Sequence, residues 1–263
     1  MATERNEGSV ANAIDPDLIG LRFMQRNRPA LFKGRHFEAE IIVLCVRWYL
    51  RFGLSFRNLE ELMAERNLNV DHVTIWRWVQ RYAPELNRRC RRELRMTNRS
   101  WRVDETYLRV AGKWTYLYRA VDSTGATIDF LLSSRRDAAA AKRFFQKALQ
   151  SLGHPRPRVI NVDGNPSYPK VITELKRTGE LGRLCRCRPV RYLNNIVEQD
   201  HRAIKRRVRA SQGFRSFDSA ARTLQGIETV NMIRKGQVRW LAKNDIAGQV
   251  AFVVGLFGLT DLG

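Results

Sequence analysis

The hydrophobic period of this chain changes at Trp101, and no other feature constrains its fold as tightly. From Phe37 up to that point apolar residues recur every three to four positions; beyond it they alternate. WRVDETYLRV (101–110), KWTYLYRAV (113–121) and ATIDFLLSS (126–134) are joined by Ala111-Gly112 and by DSTG at 122–125. Turns this short join antiparallel neighbours, so the three segments predict a meander. DAAAAKRFFQKALQSL then predicts a helix capped by Asp137, and PRVINV a short apolar strand that stops at Asp163. A helix near 168–178, an extended basic stretch at 181–192 and a long helix from about 194 to 210 follow. The last segment, 217–235, predicts an amphipathic helix with Phe217, Ala220, Leu224 and Ile227 on one face. Strands and helices in this order make an α/β class, a mixed sheet flanked by helices.

The segment before Trp101 is all helical. Ile41, Ile42, Leu44, Cys45, Trp48 and Tyr49 mark one helix. Ser55 caps a second, whose inner stripe is Phe56, Leu59, Leu62 and Met63, and Asp71 caps a third, HVTIWRWVQRYA, with Val73, Trp76 and Val79 inward. Two short helices across a tight turn, preceded by another, are the parts of a helix-turn-helix module, whose last helix enters the major groove of DNA. That arrangement exposes His72, Thr74, Arg77 and Arg81. A plain three-helix bundle with a solvated basic face is the other reading.

Charge separates the two. Forty-seven Lys and Arg against 26 Asp and Glu leave a formal +21 and a pI of about 10.8, which call for a polyanionic partner, nucleic acid. Residues 86–102 carry seven arginines against Glu93. Arg88, Arg89, Arg91 and Arg92 lead this run and are read as phosphate contacts, each releasing condensed counterion. The expected organisation is a lead-in (1–35), a helix-turn-helix module (36–85), a basic linker (86–100), a catalytic domain (101–236) and a tail (237–263). Cys45, Cys90, Cys185 and Cys187 lack zinc-ligand spacing and read as reduced thiols. MATERNEGSV has no apolar core, so no signal peptide is expected. The apolar run at 246–259 falls short of the ~20 residues that span a bilayer and predicts a packing segment. A cytoplasmic, nucleoid-associated protein without a membrane partner is the expectation.

The element order from Trp101 onward is that of the ribonuclease-H-like fold. In such a sheet a right-handed crossover brings the fourth strand beside the first, making Asp104 and Asp163 neighbours, and Glu198 on the long helix can swing over them. Three carboxylates so close raise one another's pKa unless a cation lies among them. Hard oxygen donors with open positions suit two Mg²⁺ ions, with Mn²⁺ as a substitute, and such a pair serves in-line substitution at a phosphodiester. The plainer reading makes Asp163 a turn residue. Glu105 is expected to face away from Asp104, since adjacent strand residues point to opposite sides. Asp122 is expected at a turn, Asp129 on a solvent face, and Asp200 about 200° around the helix from Glu198.

Asp104 in VDETYLRVAGKWTYLYRAVDSTG, Asp163 in NVDGNPSY and Glu198 in RYLNNIVEQDHRAIKR resemble the DDE transposases of bacterial insertion sequences, the IS-six family in particular. Thirty-four residues separate Asp163 from Glu198, which matches that group's spacing. FKGRHF, VDHVTIWRWVQRYAPE, QGFRSF and RKGQ extend the likeness over roughly residues 32–237. The resemblance implies a helix-turn-helix for terminal inverted repeats and a ribonuclease-H-like catalytic domain. It also implies Mg²⁺-dependent cleavage that exposes 3′-hydroxyls, followed by strand transfer and cointegrate formation. Asp104, Asp163 and Glu198 would be the metal ligands, Lys205 would contact DNA near them, and a homodimer or larger assembly would join two ends. A nuclease of the same fold and a non-catalytic helix-turn-helix regulator remain the alternatives.

Overall fold

Ser55 and Asp71 start their helices as the sequence predicts. The Ser55 hydroxyl accepts from Asn58 N while Asn58 Oδ1 accepts from Ser55 N, and Asp71 accepts from Val73 N and Thr74 N. The computed structural model describes residues 29–151, 153–190, 195–210 and 213–259; residues 1–28 of the expected lead-in lie outside them. The first helices are α1 (Ala39–Arg51), α2 (Phe56–Ala64) and α3 (His72–Cys90). α3 extends well past the last residue of the segment read as its helix.

The meander forms β1 (Ser100–Val110), β2 (Lys113–Asp122) and β3 (Thr127–Ser133). Ala111 and Gly112 both take positive φ, 48° and 75°, the backbone of a two-residue hairpin turn that matches strand twist. α4 (Ala138–Gln150), capped by Asp137, crosses to β4 (Val159–Val162). α5 (Ser167–Arg177), β5 (Arg186–Pro189), α6 (Asn195–Ala210), α7 (Phe217–Arg234) and α8 (Ile246–Leu256) complete the chain. The sheet order is β3-β2-β1-β4-β5, antiparallel through the meander and parallel from β1 to β5. This is the ribonuclease-H-like arrangement. One face packs Trp101, Val103 and Tyr118 on Phe144, Phe145 and Tyr168 of α4 and α5. The other packs Leu108, Val110, Leu117 and Phe130 into a core shared with α1, α3, α6 and α7.

Two helices depart from their predicted faces. Val73 and Trp76 are exposed, and the buried stripe of α3 is Ile75, Trp78, Val79, Tyr82 and Leu86. A strict three-residue spacing drifts by about 60° per step on a helix of 3.6 residues per turn, so Val73 and Val79 cannot share a stripe. α7 is buried nearly all round, between the sheet and the N-terminal helices, and Phe217 is the exposed member of its predicted face. A Cβ on Gly226 would come within 2.6 Å of Leu50 and 2.7 Å of Ala83, so glycine there sets how closely α1, α3 and α7 approach. Asp129 is buried and paired with Arg91 and Lys147 rather than solvated: Arg91 and Lys147 supply on that face the charge that lets a carboxylate be enclosed. Asp122 serves the turn as expected, accepting from Thr124 N and Ala126 N. The apolar run packs as α8, with Phe257 against Phe32 and Tyr82. Among the described residues no helix is long and apolar enough to cross a membrane.

Candidate active site

Parallel pairing of β1 with β4 runs from Ser100↔Val159 to Val103↔Val162. Asp104 and Asp163 are the next residues on the two strands, so the ladder sets them side by side where the parallel strands end. Asn165 N donates to Asp163 Oδ1 at 3.0 Å, which turns the chain sharply after β4. Glu198, exposed in the first turn of α6, faces the same place. Asp104, Asp163 and Glu198 line one open cleft of about 430 Å³ with Arg136, Gly164, Asn165 and Pro166.

The cleft is charged against itself. Burial, then Asp163 and Glu105, with a smaller push from Glu198, raise the Asp104 carboxyl to about 7. Glu105 has a different role from the one its alternation suggests. It does leave the opposite face of β1, where its carboxylate accepts from Tyr168 Oη and from Asn165 Nδ2 (3.1 Å) and pairs with Arg136 Nε (2.5 Å). Yet β4 pairing stops at Val103, so beyond that residue no neighbouring strand among the described residues separates the two faces of β1 on this side. Carboxylate oxygens of Asp104, Glu105 and Asp163 consequently lie within 4.8 Å of one another. Burial, then the Glu105 carboxylate, pushes the Tyr168 hydroxyl far above the usual phenol range, which keeps it a donor. An all-oxygen anionic donor set of this kind suits Mg²⁺ or Mn²⁺.

A second charged cluster lies behind the first. Arg119 stands opposite Asp104 in the β1–β2 register and is fully buried. It donates to Glu228 of α7 at 2.7 and 2.9 Å and to Asp200 of α6 at 2.8 Å, and Lys235 Nζ reaches Asp200 at 2.7 Å. Burial would raise Asp200, but Arg119 and Lys235 outweigh it and hold the carboxyl down at about 2. Two acids and two bases thus bolt α6 to the sheet and to α7, which fixes the helix that carries Glu198. His201, buried next to Asp200, places Nδ1 3.7 Å from Asp104 Oδ2, and burial followed by Arg119 depresses it to about 3. Asp200 points away from the cleft, as its helical angle predicts. Arg136, His201, Arg119 and Glu228 were not singled out in the sequence, and the only hint of Arg136 was its place where β3 hands over to α4.

Lys205 is half-buried, its Nζ 4.7 Å above the Tyr107 ring. Arg77 and Arg81 are exposed on α3; His72 is half-buried and bonded to Glu60, and the Thr74 hydroxyl bonds to Asp71. The outer face of α3 therefore carries Val73, Trp76 and Arg77 more openly than His72 and Thr74. In the arginine run, Arg88 and Arg89 share Glu85, Arg91 bonds Asp129 and Ser151, and the Arg92 side chain is exposed.

A family model described as a DDE domain, of the IS240 transposase type, matches residues 98–237, more than half of the chain. The transposase for insertion sequence-like element IS431mec of Staphylococcus aureus is 38% identical over 210 residues, covering 80% of this chain and 91% of that protein. The transposase for insertion sequence element IS257 in transposon Tn4003, also from Staphylococcus aureus, is 37% identical over the same span. Among solved structures, the HTLV-2 integrase catalytic core domain in complex with magnesium aligns at a TM-score of 0.41 and 18% identity, over 55% of this chain and 95% of that one. That likeness is loose, and the assignment rests on the family match.

Proposed function

Because the chain belongs to the DDE-domain transposases of the IS-six insertion-sequence family, we propose that it binds its element's terminal inverted repeats and catalyses Mg²⁺-dependent cleavage and strand transfer through Asp104, Asp163 and Glu198. The observation that carries this reading is the β1–β4 register that brings the two aspartates together under α6. In the proposed organisation residues 36–85 read the element ends, 86–100 follow phosphates, 101–236 catalyse, and 237–263 form a tail. The chain works on double-stranded DNA as a homodimer or larger assembly, with His72, Thr74, Arg77 and Arg81 at the bases and Arg88, Arg89, Arg91 and Arg92 near the backbone.

Asp104, Asp163 and Glu198 would hold two Mg²⁺ ions, or Mn²⁺ in their place. When bound, such a pair activates the attacking water or 3′-hydroxyl and neutralises the departing oxyanion. The chain's own work is placement. The sheet register fixes the two aspartates, the Arg119–Glu228–Asp200–Lys235 cluster fixes α6 and so Glu198, and Tyr168, Asn165 and Arg136 hold Glu105 beside the aspartates. Rigid donors aimed at developing charge need no reorganisation during reaction. Lys205 contributes a cation to the DNA near the cleft.

The test uses duplexes carrying the element's ends with Mg²⁺. Wild type yields 3′-hydroxyl ends and strand-transfer products; Asp163→Asn loses both and keeps end binding. Cleavage retained by Asp163→Asn would overturn the proposal.

A further inference from the structure

The β1–β2 hairpin projects beyond its neighbours. β4 pairs with β1 only through Val103, and β3 meets β2 only from Tyr116 onward, so residues 107–114 form an arm that no other strand of the sheet flanks among the described residues, tied down on its β1 edge by a single parallel bridge from Val110 to Phe214. One face of the arm is buried: Leu108 and Val110 are each 4% exposed, and Ala111 N bonds to Phe214 O. The other face presents Tyr107 and Trp114, 57% and 52% exposed, with ring centroids 5.3 Å apart in an edge-to-face pair. The Arg109 guanidinium lies 4.8 Å over the Trp114 ring and Lys205 Nζ 4.7 Å over Tyr107, and Lys113 is exposed at the tip.

A large aromatic pair held open to solvent is costly unless something covers it. The two cations over the rings, Arg109 and Lys205, set the charge of the occupant as negative. Two π faces flanked by phosphate-seeking charge are the pattern that receives unstacked bases in proteins that bind single strands. The site lies along β1 from the cleft: Tyr107 is three residues beyond Asp104, about 10 Å of strand or roughly three nucleotides at duplex rise, at an edge where β4 no longer pairs with β1. We propose that Tyr107 and Trp114 form a stacking ledge that captures an unpaired nucleobase of the DNA strand entering the cleft, with Arg109 and Lys205 meeting its phosphates. The exposed cation–π contacts are weak and interchangeable, so Arg109 and Lys205 can leave the rings for phosphate as a base arrives. This inference rests on the proposed function, because a strand must come to the cleft for the ledge to hold it.

The test measures binding of the full chain, in chelator, to a blunt duplex, to the same duplex with a short unpaired 3′ extension, and to one whose extension is abasic. 2-Aminopurine in the unpaired extension reports stacking. Wild type should prefer the base-bearing extension by about 5- to 100-fold, with the 2-aminopurine signal quenched. Trp114→Ala and Tyr107→Ala should erase most of that preference while blunt-duplex affinity stays within about twofold, and Trp114→Phe should keep most of it, because stacking needs only an aromatic face. Both side chains are exposed, so neither change threatens folding. A preference that survives both alanine variants, or one equally strong for the abasic extension, overturns the ledge, as does a change in oligomeric state caused by either variant, which would make the arm a contact between copies. The outcome is separable from the proposed function: wild-type Mg²⁺-dependent cleavage without the preference removes only the ledge, and the preference without cleavage removes only the enzymatic reading.

Discussion

Glu198 and Asp200 stand two residues apart on α6, yet they belong to carboxylate clusters of opposite design. Asp200 shares a buried site with Glu228, Arg119 and Lys235, where two negative charges meet two positive ones and hydrogen bonds link them. Glu198 faces a cleft lined by Asp104, Asp163 and Arg136, with the Glu105 carboxylate close to both aspartates. The first cluster balances its own charge. The second keeps an excess of negative charge, and the cost appears in Asp104, pushed up to about 7 mainly by burial. An acid group that a fold balances internally holds elements together; one left unbalanced at a strand end is disposed to hold a cation from solution.

The contrast is broken most severely by neutralising the cleft. Asp104→Asn or Asp163→Asn should reduce cleavage and strand transfer to background in a gel assay while the melting temperature holds or rises, since repulsion is relieved. A large loss of stability in these variants would mean that the cleft acids are structural after all. Removing one partner from the balanced cluster should do the reverse. Glu228→Gln leaves Arg119 buried with half its compensation and should cost roughly 3–5 kcal/mol in denaturant unfolding. An unchanged denaturation midpoint would show the cluster does not bolt α6 in place.

Acid titration separates the two groups again, more gently. The folded-state pKa of Asp104 is raised, so the proton it binds favours the folded state, and that stability is lost as pH rises from about 4 through about 7. In chelator, Asp104→Asn should therefore gain melting temperature over wild type at neutral pH and lose the advantage near pH 4. Asp200 is depressed to about 2, so its contribution is full above its unfolded value and fades as pH falls toward 2. Calorimetry across pH should resolve the opposite slopes; parallel slopes in wild type and Asp104→Asn would remove the distinction.

The same contrast recurs on α3 with smaller stakes. Arg88 and Arg89 are paired with Glu85, whereas the Arg77 and Arg92 side chains have no acid partner among the described residues. Arg77→Ala should cost ~1–3 kcal/mol on end DNA and relax sequence preference, and Arg92→Ala should weaken all DNA alike and lower the salt slope by about 1. Arg88→Ala should do less than either. Equal losses from Arg77→Ala on end and random DNA would move Arg77 to the phosphate contacts.

What the sequence revealed follows the range of the forces involved. Alternation and capping are local, so the meander, the Ser55, Asp71 and Asp137 caps and the strand-end position of Asp163 were legible. The meeting of Asp104 with Asp163 also was, because the crossover rule restricts where a fourth strand can lie. Pairing across distant segments was not. Asp129 looked like a solvent residue until Arg91 and Lys147 were brought to it from elsewhere in the chain. α7 carries Thr223, Glu228, Thr229 and Asn231, which lower its apolar signal, yet all four are buried because Arg119, Asn87, Asp200 and Gln80 satisfy them. Glu105 was set aside by strand alternation, a rule that does not foresee where a neighbouring strand ends.

The central claim, that the unbalanced acids collect divalent cations at the junction of β1, β4 and α6, is tested most directly by anomalous scattering from crystals grown with Mn²⁺. The account predicts peaks bounded by Asp104, Asp163 and Glu198 that vanish in Asp163→Asn. Crystals of the wild-type chain that show no Mn²⁺ there, or peaks that persist unchanged in Asp163→Asn, would contradict it.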